Sequence, residues 1–220
     1  MRVRVVCLAL LLSVSGSLSD VASARGSRAL GSISQANNSH VDSQDAMAGG
    51  DLYACDVLDT DSYGSLRAQF SNSQILLSPS SEDVLDGRRD AVRVIVISGT
   101  TSFSATSPAV LKVDTPAGVV RESGGQFYSG TVTITGPKEL IVSANRGDLI
   151  LNNGGELHTI PAGKSARITF DQSADASCHK AGYLDRPQPI TFKIIGGIGA
   201  AAVVGAVVYF ISESPTKPRQ

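Results

Sequence analysis

The chain has 220 residues, 42% of them hydrophobic, and its 19 Lys and Arg against 20 Asp and Glu give a formal net charge of −1. With charges so nearly balanced, the chain is not expected to be attracted strongly to nucleic acid or to an acidic membrane surface. The 22 glycines and the absence of Trp from the sequence are typical of a turn-rich β protein, and the length allows one domain with accessory segments.

Residues 1–24 have the order of a secretory signal peptide. Arg2 and Arg4 precede a short apolar run, and small residues then lead to the motif Ala-Ser-Ala at residues 22–24. A basic start, an apolar centre and a small-x-small cleavage site together predict export and removal of this segment. An uncleaved anchor is the alternative interpretation.

Residues 25–51 are predicted to be a flexible arm. The segment is rich in Ser, Ala, Gly and Asn and has almost no large apolar residue. Such a composition buries too little surface to offset the entropy lost on ordering.

Residues 52–171 are predicted to form an antiparallel all-β domain. Leu66, Ala68 and Phe70 alternate with Arg67 and Gln69, and similar alternating runs recur near residues 94, 112, 133 and 168. Alternation with a period of two buries one face of a strand, and the Gly-, Pro- and Asn-rich breaks between the runs are turn signals. We expect residues 66–70 and 75–77 to form a hairpin, and residues 81–90 to be a charged loop or a single helical turn.

A faint internal repeat lies within this domain. Each copy has an apolar strand, a second strand and the tripeptide Pro-Ala-Gly, at residues 116–118 and 161–163, with an offset of about 45–48 residues. In each tripeptide, Pro and Gly suit a tight turn. Two such copies predict stacked or sandwiched sheets.

Four segments of the chain resemble parts of a FecR-type domain. They are GSLRA (64–68), ILLSP (75–79), VDTPAGVVRESGGQFYSG (113–130) and LHTIPAGKSA (157–166). The resemblance covers roughly residues 55–170 and implies an antiparallel sandwich or a β-helix-like domain.

The same resemblance implies an exported bacterial module. FecR-type proteins pass a signal across the envelope to a cytoplasmic sigma factor, and they place a cytoplasmic helical segment and a membrane helix before the β domain. This chain has the opposite order, so direct binding of a sigma factor is not expected.

Residues 194–211 are predicted to form one transmembrane helix. The run carries no charge and would span ~27 Å as a helix, close to the hydrocarbon thickness of a bilayer. The alternative is a buried hairpin or core helix. With residues 172–193 as a juxtamembrane segment and residues 212–220 as a cytoplasmic tail, the chain is expected to be a single-pass protein of the bacterial inner membrane with a periplasmic β domain.

Small residues recur four positions apart in this run, at Gly197, Ala201 and Gly205. Such a stripe lets two membrane helices approach closely, so a homodimer through the helix is a hypothesis.

Two cysteines flank the β domain, Cys55 and Cys178. Outside the cytoplasm we expect them to form a disulfide bond, with two free buried thiols as the alternative. Closing a loop of this length contributes about 4–5 kcal/mol in the chain-entropy model.

No metal, cofactor or catalytic site is predicted. Residues 59–64 begin like a calcium loop, but Tyr63 and Phe70 occupy positions that require oxygen ligands, so a surface acidic turn is expected. His158, beside Glu156, lacks a recognisable nucleophile and is expected to face solvent. Four aromatic residues are expected to pack in the core or at edges: Tyr53, Tyr63, Phe127 and Tyr128.

The sequence therefore predicts a non-enzymatic, membrane-anchored envelope protein. Its β domain is expected to bind a protein or polysaccharide through sheet edges and turn loops. Transmembrane signalling is the alternative. Hydrolysis of envelope polymers is a third hypothesis, because carboxylates from distant strands meet in some folds.

Overall fold

The computed structural model describes residues 28–88, 91–106, 111–124, 127–171 and 190–197. Within these ranges every regular element is a β-strand, and the sixteen strands belong to one sheet. The predicted all-β class is therefore confirmed. None of the described residues belongs to a helix that would span a lipid bilayer.

The strands have the following bounds in chain order: β1 (Gly31–Val41), β2 (Gln44–Asp45), β3 (Asp51–Leu52), β4 (Val57–Phe70), β5 (Ser73–Leu77), β6 (Glu82–Arg88), β7 (Ala91–Ser98), β8 (Thr100–Ala105), β9 (Leu111–Thr115), β10 (Gly118–Glu122), β11 (Tyr128–Gly136), β12 (Glu139–Arg146), β13 (Leu149–Asn153), β14 (Glu156–Ile160), β15 (Lys164–Phe170) and β16 (Ile190–Gly197).

The long strand β4 joins two halves of the sheet. Its first residues pair with β6 and its last residues pair with β5, while β1 follows its other edge from end to end. The β6 half continues through β7, β9, β10, β13 and β14, and the β5 half continues through β8, β11, β12, β15 and β16. The sheet therefore forks at β4.

The two halves enclose one apolar interior. Alternate residues from both halves form a single cluster of buried side chains, which includes Phe70, Phe103, Tyr128 and Phe170. On the side away from β4, the terminal strands β14 and β16 approach each other, and the rings of His158 and Phe192 stack with centroids 4.7 Å apart. The sheet thus curls until its two ends meet.

One pair of strands departs from the predicted antiparallel pattern. The chain crosses from β7 in one half to β8 in the other and then returns to β9, so β7 and β9 lie parallel. All other described pairings are antiparallel. These antiparallel pairings do not fit a β-helix, whose coils pair in parallel. The strands instead form one sheet curled on itself.

The predicted hairpin of residues 66–70 with 75–77 is confirmed as β4–β5. The two Pro-Ala-Gly turns, in contrast, have different roles. The first closes the β9–β10 hairpin, where Gly118 pairs with Thr115. The second carries the chain from β14 in one half to β15 in the other. The repeat in the sequence therefore reflects two similar local turns, and the two copies are not equivalent structural units.

The predicted flexible arm, residues 25–51, is wrong from residue 31 onward. Strands β1 and β2 lie wholly within it and β3 begins there, and Leu30 and Ile33 insert into the core. The long backbone ladder between β1 and β4 orders this polar segment, since each paired peptide group gains hydrogen bonds without needing an apolar side chain.

The predicted loop at residues 81–90 is also wrong, because Glu82–Arg88 forms β6. This strand pairs with both β4 and β7. Its acidic residues hid a buried strand, in which Asp83 and Leu85 are buried together with the preceding Ser81, and Val84 packs with Ile95 in a second apolar cluster.

The predicted membrane helix does not begin at Ile194. Residues 190–197 form β16, which pairs with β15, and Ile190 and Phe192 pack against the core. The β-branched residues of this segment suit a strand. The remainder of the predicted helix, residues 198–211, lies outside the described residues.

Cys55 occupies a tight turn before β4 with a positive φ of 76°. It is disulfide-bonded, and its amide donates to the Leu85 carbonyl oxygen over 2.8 Å. The expected partner, Cys178, lies outside the described residues, so the pairing itself stays a prediction.

Replacing Gly130 by Ala should destabilise the fold. A Cβ atom there would lie 2.7 Å from Leu149 Cδ1 and 2.8 Å from both Phe103 Cζ and the Ser143 carbonyl oxygen. We expect a loss of about 1–3 kcal/mol in the free energy of unfolding, measured by urea denaturation. Gly136→Ala, on the same strand and with nothing within 4 Å, is the matched control. Equal midpoints for both variants would contradict the packing at Gly130.

Candidate functional site

An arch of residues 61–64 rises from the middle of β4. Asn37 pairs with Ser65 and Ser39 pairs with Thr60, so the single residue Asn38 faces all four residues of the arch. The arch lies where β4 passes from the β6 half to the β5 half. An extra loop within a strand lets the strand bend there, as bulges do elsewhere.

Gly64 closes the arch because no other residue fits. A Cβ atom at this position would lie 2.0 Å from the Asn38 carbonyl oxygen and 2.8 Å from the Asp61 amide nitrogen. Asn38 itself has a positive φ of 42°, a conformation that Asn tolerates better than most residues. The backbone of the arch is thus fixed by sterics against β1.

Hydrogen bonds from Thr60 fix the other side of the arch. The Thr60 hydroxyl donates to the Ser78 carbonyl oxygen over 2.6 Å and accepts from the Ser81 amide over 3.0 Å. The Ser80 amide donates to the Asp61 carbonyl oxygen over 3.0 Å. These bonds tie the arch to the turn between β5 and β6.

The start of β8 holds the turn between β5 and β6 in place. The Ser81 hydroxyl donates to the Thr100 carbonyl oxygen over 3.1 Å and accepts from the Thr100 amide over 2.8 Å. Gly99 has a φ of 77°, and a Cβ atom there would meet the Ser80 carbonyl oxygen at 2.4 Å. The segments around Thr60, Ser81 and Thr100 therefore form one interlocked base beneath the arch, which we call the arch base.

Tyr63 projects from the arch with 85% of its surface exposed. The expectation that it packs in the core or at an edge is wrong, whereas Tyr128 is buried as expected and donates its hydroxyl to the Leu111 carbonyl oxygen. Phe127 is partly covered by the Arg146 guanidinium, which lies 5.0 Å from its ring centroid. Tyr63 is thus a large aromatic side chain held in solvent by a rigid backbone.

The surroundings of the arch are acidic. His40 lies between two carboxylates, with Nδ1 3.1 Å from Asp59 Oδ1 and Nε2 3.3 Å from Asp45 Oδ1. Residues 29–66 include six aspartates and neither Lys nor Arg. No group of three potential ligands suited to a metal ion occurs in the described ranges.

A buried carboxyl group lies just below the arch base. Asp83 on β6 has no exposed surface, and its Oδ1 and Oδ2 lie 2.9 and 2.8 Å from the hydroxyl oxygen of Thr101, which is also fully buried. Burial raises the pKa of Asp83 to about 8, the Thr101 hydrogen bond opposes this rise, and the charge of Glu82 adds to it.

Two other buried acids have structural roles. Burial raises the pKa of Asp56, whose carboxylate accepts from the Tyr53 amide over 2.8 Å. Burial also raises the pKa of the Tyr128 hydroxyl, with a further contribution from Glu122. Both groups hold local structure, and neither lies in the arch.

The histidine on β14 does not face solvent as expected. The His158 side chain is 19% exposed, with Nε2 3.4 Å from Glu156 Oε1 and its ring stacked on Phe192. It closes the seam between the ends of the sheet, which is a packing role. Of the predicted helix-packing residues, Gly197 pairs with Lys164 at the end of β16, and Ala201 and Gly205 lie outside the described residues.

Sequence reasoning missed Tyr63 and Asp83 for different reasons. The signal for Tyr63 was a break in the alternation: residues 61–63 are exposed in succession between the buried Thr60 and Gly64. For Asp83 the signal was weaker, a carboxyl group two positions before the buried Leu85.

No family model matches the chain, and no curated protein matches it. Two crystal structures of a "putative anti-sigma factor" from Parabacteroides distasonis are similar, each with a TM-score of 0.46, at 10% and 12% sequence identity. Each match covers 64% of this chain and 60% of the other chain. Similarity at this level supports no statement about shared function.

Replacing Thr60 by Val should weaken the arch base. The change keeps the shape of the side chain but leaves the Ser78 carbonyl oxygen and the Ser81 amide without their hydroxyl partner. We expect a loss of about 1–3 kcal/mol in the free energy of unfolding, measured by urea denaturation. Thr60→Ser keeps the hydroxyl and should lose less. A Val variant as stable as the Ser variant would show that these bonds do not hold the base.

Proposed function

We propose that this chain is an exported, non-enzymatic module of the bacterial envelope that binds a partner protein through Tyr63. The observation that carries the proposal is an aromatic side chain with 85% of its surface in solvent, mounted on an arch with an interlocked base. Tyr is among the residues that most often dominate binding energy at protein interfaces.

The rigidity of the arch supports a role in binding. Binding costs free energy when side chains and loops must be ordered, and a fixed backbone avoids most of that cost. Gly64 and the Thr60 bonds fix the arch before any partner arrives. Tyr itself adds large contact area with only two rotatable angles.

A protein partner fits the shape better than a polysaccharide does. Tyr63 stands on a protrusion, so it suits insertion into a pocket on another surface, whereas small-molecule and sugar sites are usually concave. The acidic surroundings favour a partner with a basic rim, and they would increase the rate of association at low ionic strength.

The predicted signal peptide and the disulfide bond support a place of action outside the cytoplasm. Residues 1–24 predict export, and a disulfide at Cys55 suits an oxidising compartment. Attachment to the inner membrane through the predicted helix of residues 194–211 stays a prediction from the sequence, and its first four residues belong to β16.

Site-specific photo-crosslinking tests the proposal. A photoreactive amino acid at position 63, introduced into the full chain in its own cell, should trap one discrete partner. The control position is Leu157, which is 54% exposed on β14, away from the arch. A partner trapped equally at both positions, or at neither, would argue against a role for the arch.

Tyr63→Ala should weaken binding of the purified, crosslink-identified partner by about tenfold or more, as expected for an aromatic hot spot. The free energy of unfolding should change by less than about 0.5 kcal/mol, because the side chain is exposed. Affinity is measured by titration calorimetry, with Met47→Ala, another exposed side chain (73%), as the control. Equal affinities for wild type and Tyr63→Ala would exclude Tyr63 as the anchor.

A further inference from the structure

Asp83 and Thr101 connect the two halves of the sheet across its interior. Asp83 belongs to β6 and Thr101 belongs to β8, and β4 and β5 separate these strands in the sheet. Their contact therefore does not follow the backbone ladder. It bridges the fork at the point where β5 and β6 diverge from β4.

The geometry of this contact fits a neutral carboxylic acid. Both carboxyl oxygens lie within 2.9 Å of the one hydroxyl oxygen. A protonated Asp83 donates from one oxygen to Thr101 and accepts the Thr101 proton at the other, which satisfies both groups. For an ionised Asp83, the Thr101 hydroxyl would be the single hydrogen-bond donor to two carboxylate oxygens, and no solvent would reach them.

The side chains around the pair are apolar. In the sheet register Leu58 of β4 and Val96 of β7 flank Asp83, and they have no exposed surface. Leu77 of β5 and Val132 of β11 flank Thr101 and are equally buried. The charged group that acts on Asp83 is the adjacent Glu82, and its negative charge opposes ionisation.

The pair is directly continuous with the arch base. Ser81 lies two residues before Asp83, and Thr100 lies one residue before Thr101. Ser81 and Thr100 bond to each other, and Ser81 also bonds to Thr60. Any change in the spacing between β6 and β8 at Asp83 therefore reaches the bonds that hold the arch.

We propose that Asp83 and Thr101 form a proton-dependent tie beneath the arch, and that ionisation of Asp83 loosens the arch base. The reaction is a simple loss of the Asp83 proton to solvent. This proposal rests on the proposed function only where it treats the arch as the site that binds a partner. The effect of the tie on the fold is independent of any partner.

The direction of the pH effect follows from linkage. In the unfolded chain Asp83 ionises near the ordinary pKa of an aspartate, 3.8, whereas in the folded chain its pKa is about 8. The contribution of Asp83 to stability is therefore largest below about pH 4 and falls as the pH rises towards 8, because the unfolded state loses its proton first.

Urea denaturation of the full chain between about pH 5 and pH 9 tests the tie. The wild-type midpoint should fall over this range, and the Asp83→Asn midpoint should fall much less, because the amide keeps both hydrogen bonds and does not titrate. In the Glu82→Gln variant, the decline of the urea midpoint should occur at lower pH than in the wild type. An Asp83→Asn midpoint that falls as steeply as that of the wild type would overturn the proposal.

Amide hydrogen exchange tests the link to the arch. At about pH 9 the amides of Ser81 and Thr100 should exchange about tenfold faster in the wild type than in Asp83→Asn, since most Asp83 is then ionised. The Leu151 amide, on β13 and remote from the fork, is the internal reference. Equal exchange rates of these amides in both proteins would show that Asp83 is not linked to the arch base. This conclusion would hold whatever the crosslinking result at Tyr63.

Discussion

The backbone pairing of β1 with β4 is the constraint on which the rest of the structure depends. β4 gives one whole edge to β1 and divides its other edge between β5 and β6. Both halves of the sheet therefore start from a single bent strand. The bend requires the arch, and the arch requires Gly64, because backbone from β1 fills the space that a side chain would need.

Polar side chains fill the fork of the sheet, where apolar side chains would be usual. Hydroxyl groups of Thr60, Ser81 and Thr101 satisfy backbone and carboxyl groups that the diverging strands leave unpaired. Fully satisfied polar networks define one geometry more sharply than apolar contacts do, at some cost in stability. This explains why a surface Tyr can be held in a fixed position by a part of the chain with few large apolar side chains.

The sequence predicted what depends on alternation and turns, and it missed what depends on partners distant in the chain. The β4–β5 hairpin was readable because its apolar residues alternate and its turn is short. β1 and β6 were not readable, since polar and acidic residues mask their period and the strands that order them are remote. The site was missed for two different reasons: Tyr63 stands in an arch within a long strand, and Asp83 meets Thr101 only through the fold.

The stacking of His158 on Phe192 has a consequence for how the protein becomes folded. Residues 171–189 separate β15 from β16 in the chain, and β16 supplies the ring that meets β14 at the seam. Residues 190–197 thus cover part of the apolar interior, since Ile190 and Phe192 pack against the core. Pairings this distant in the chain slow folding, because a long loop must close before they form. The seam between β14 and β16 can therefore form only after the chain has been synthesised as far as Phe192.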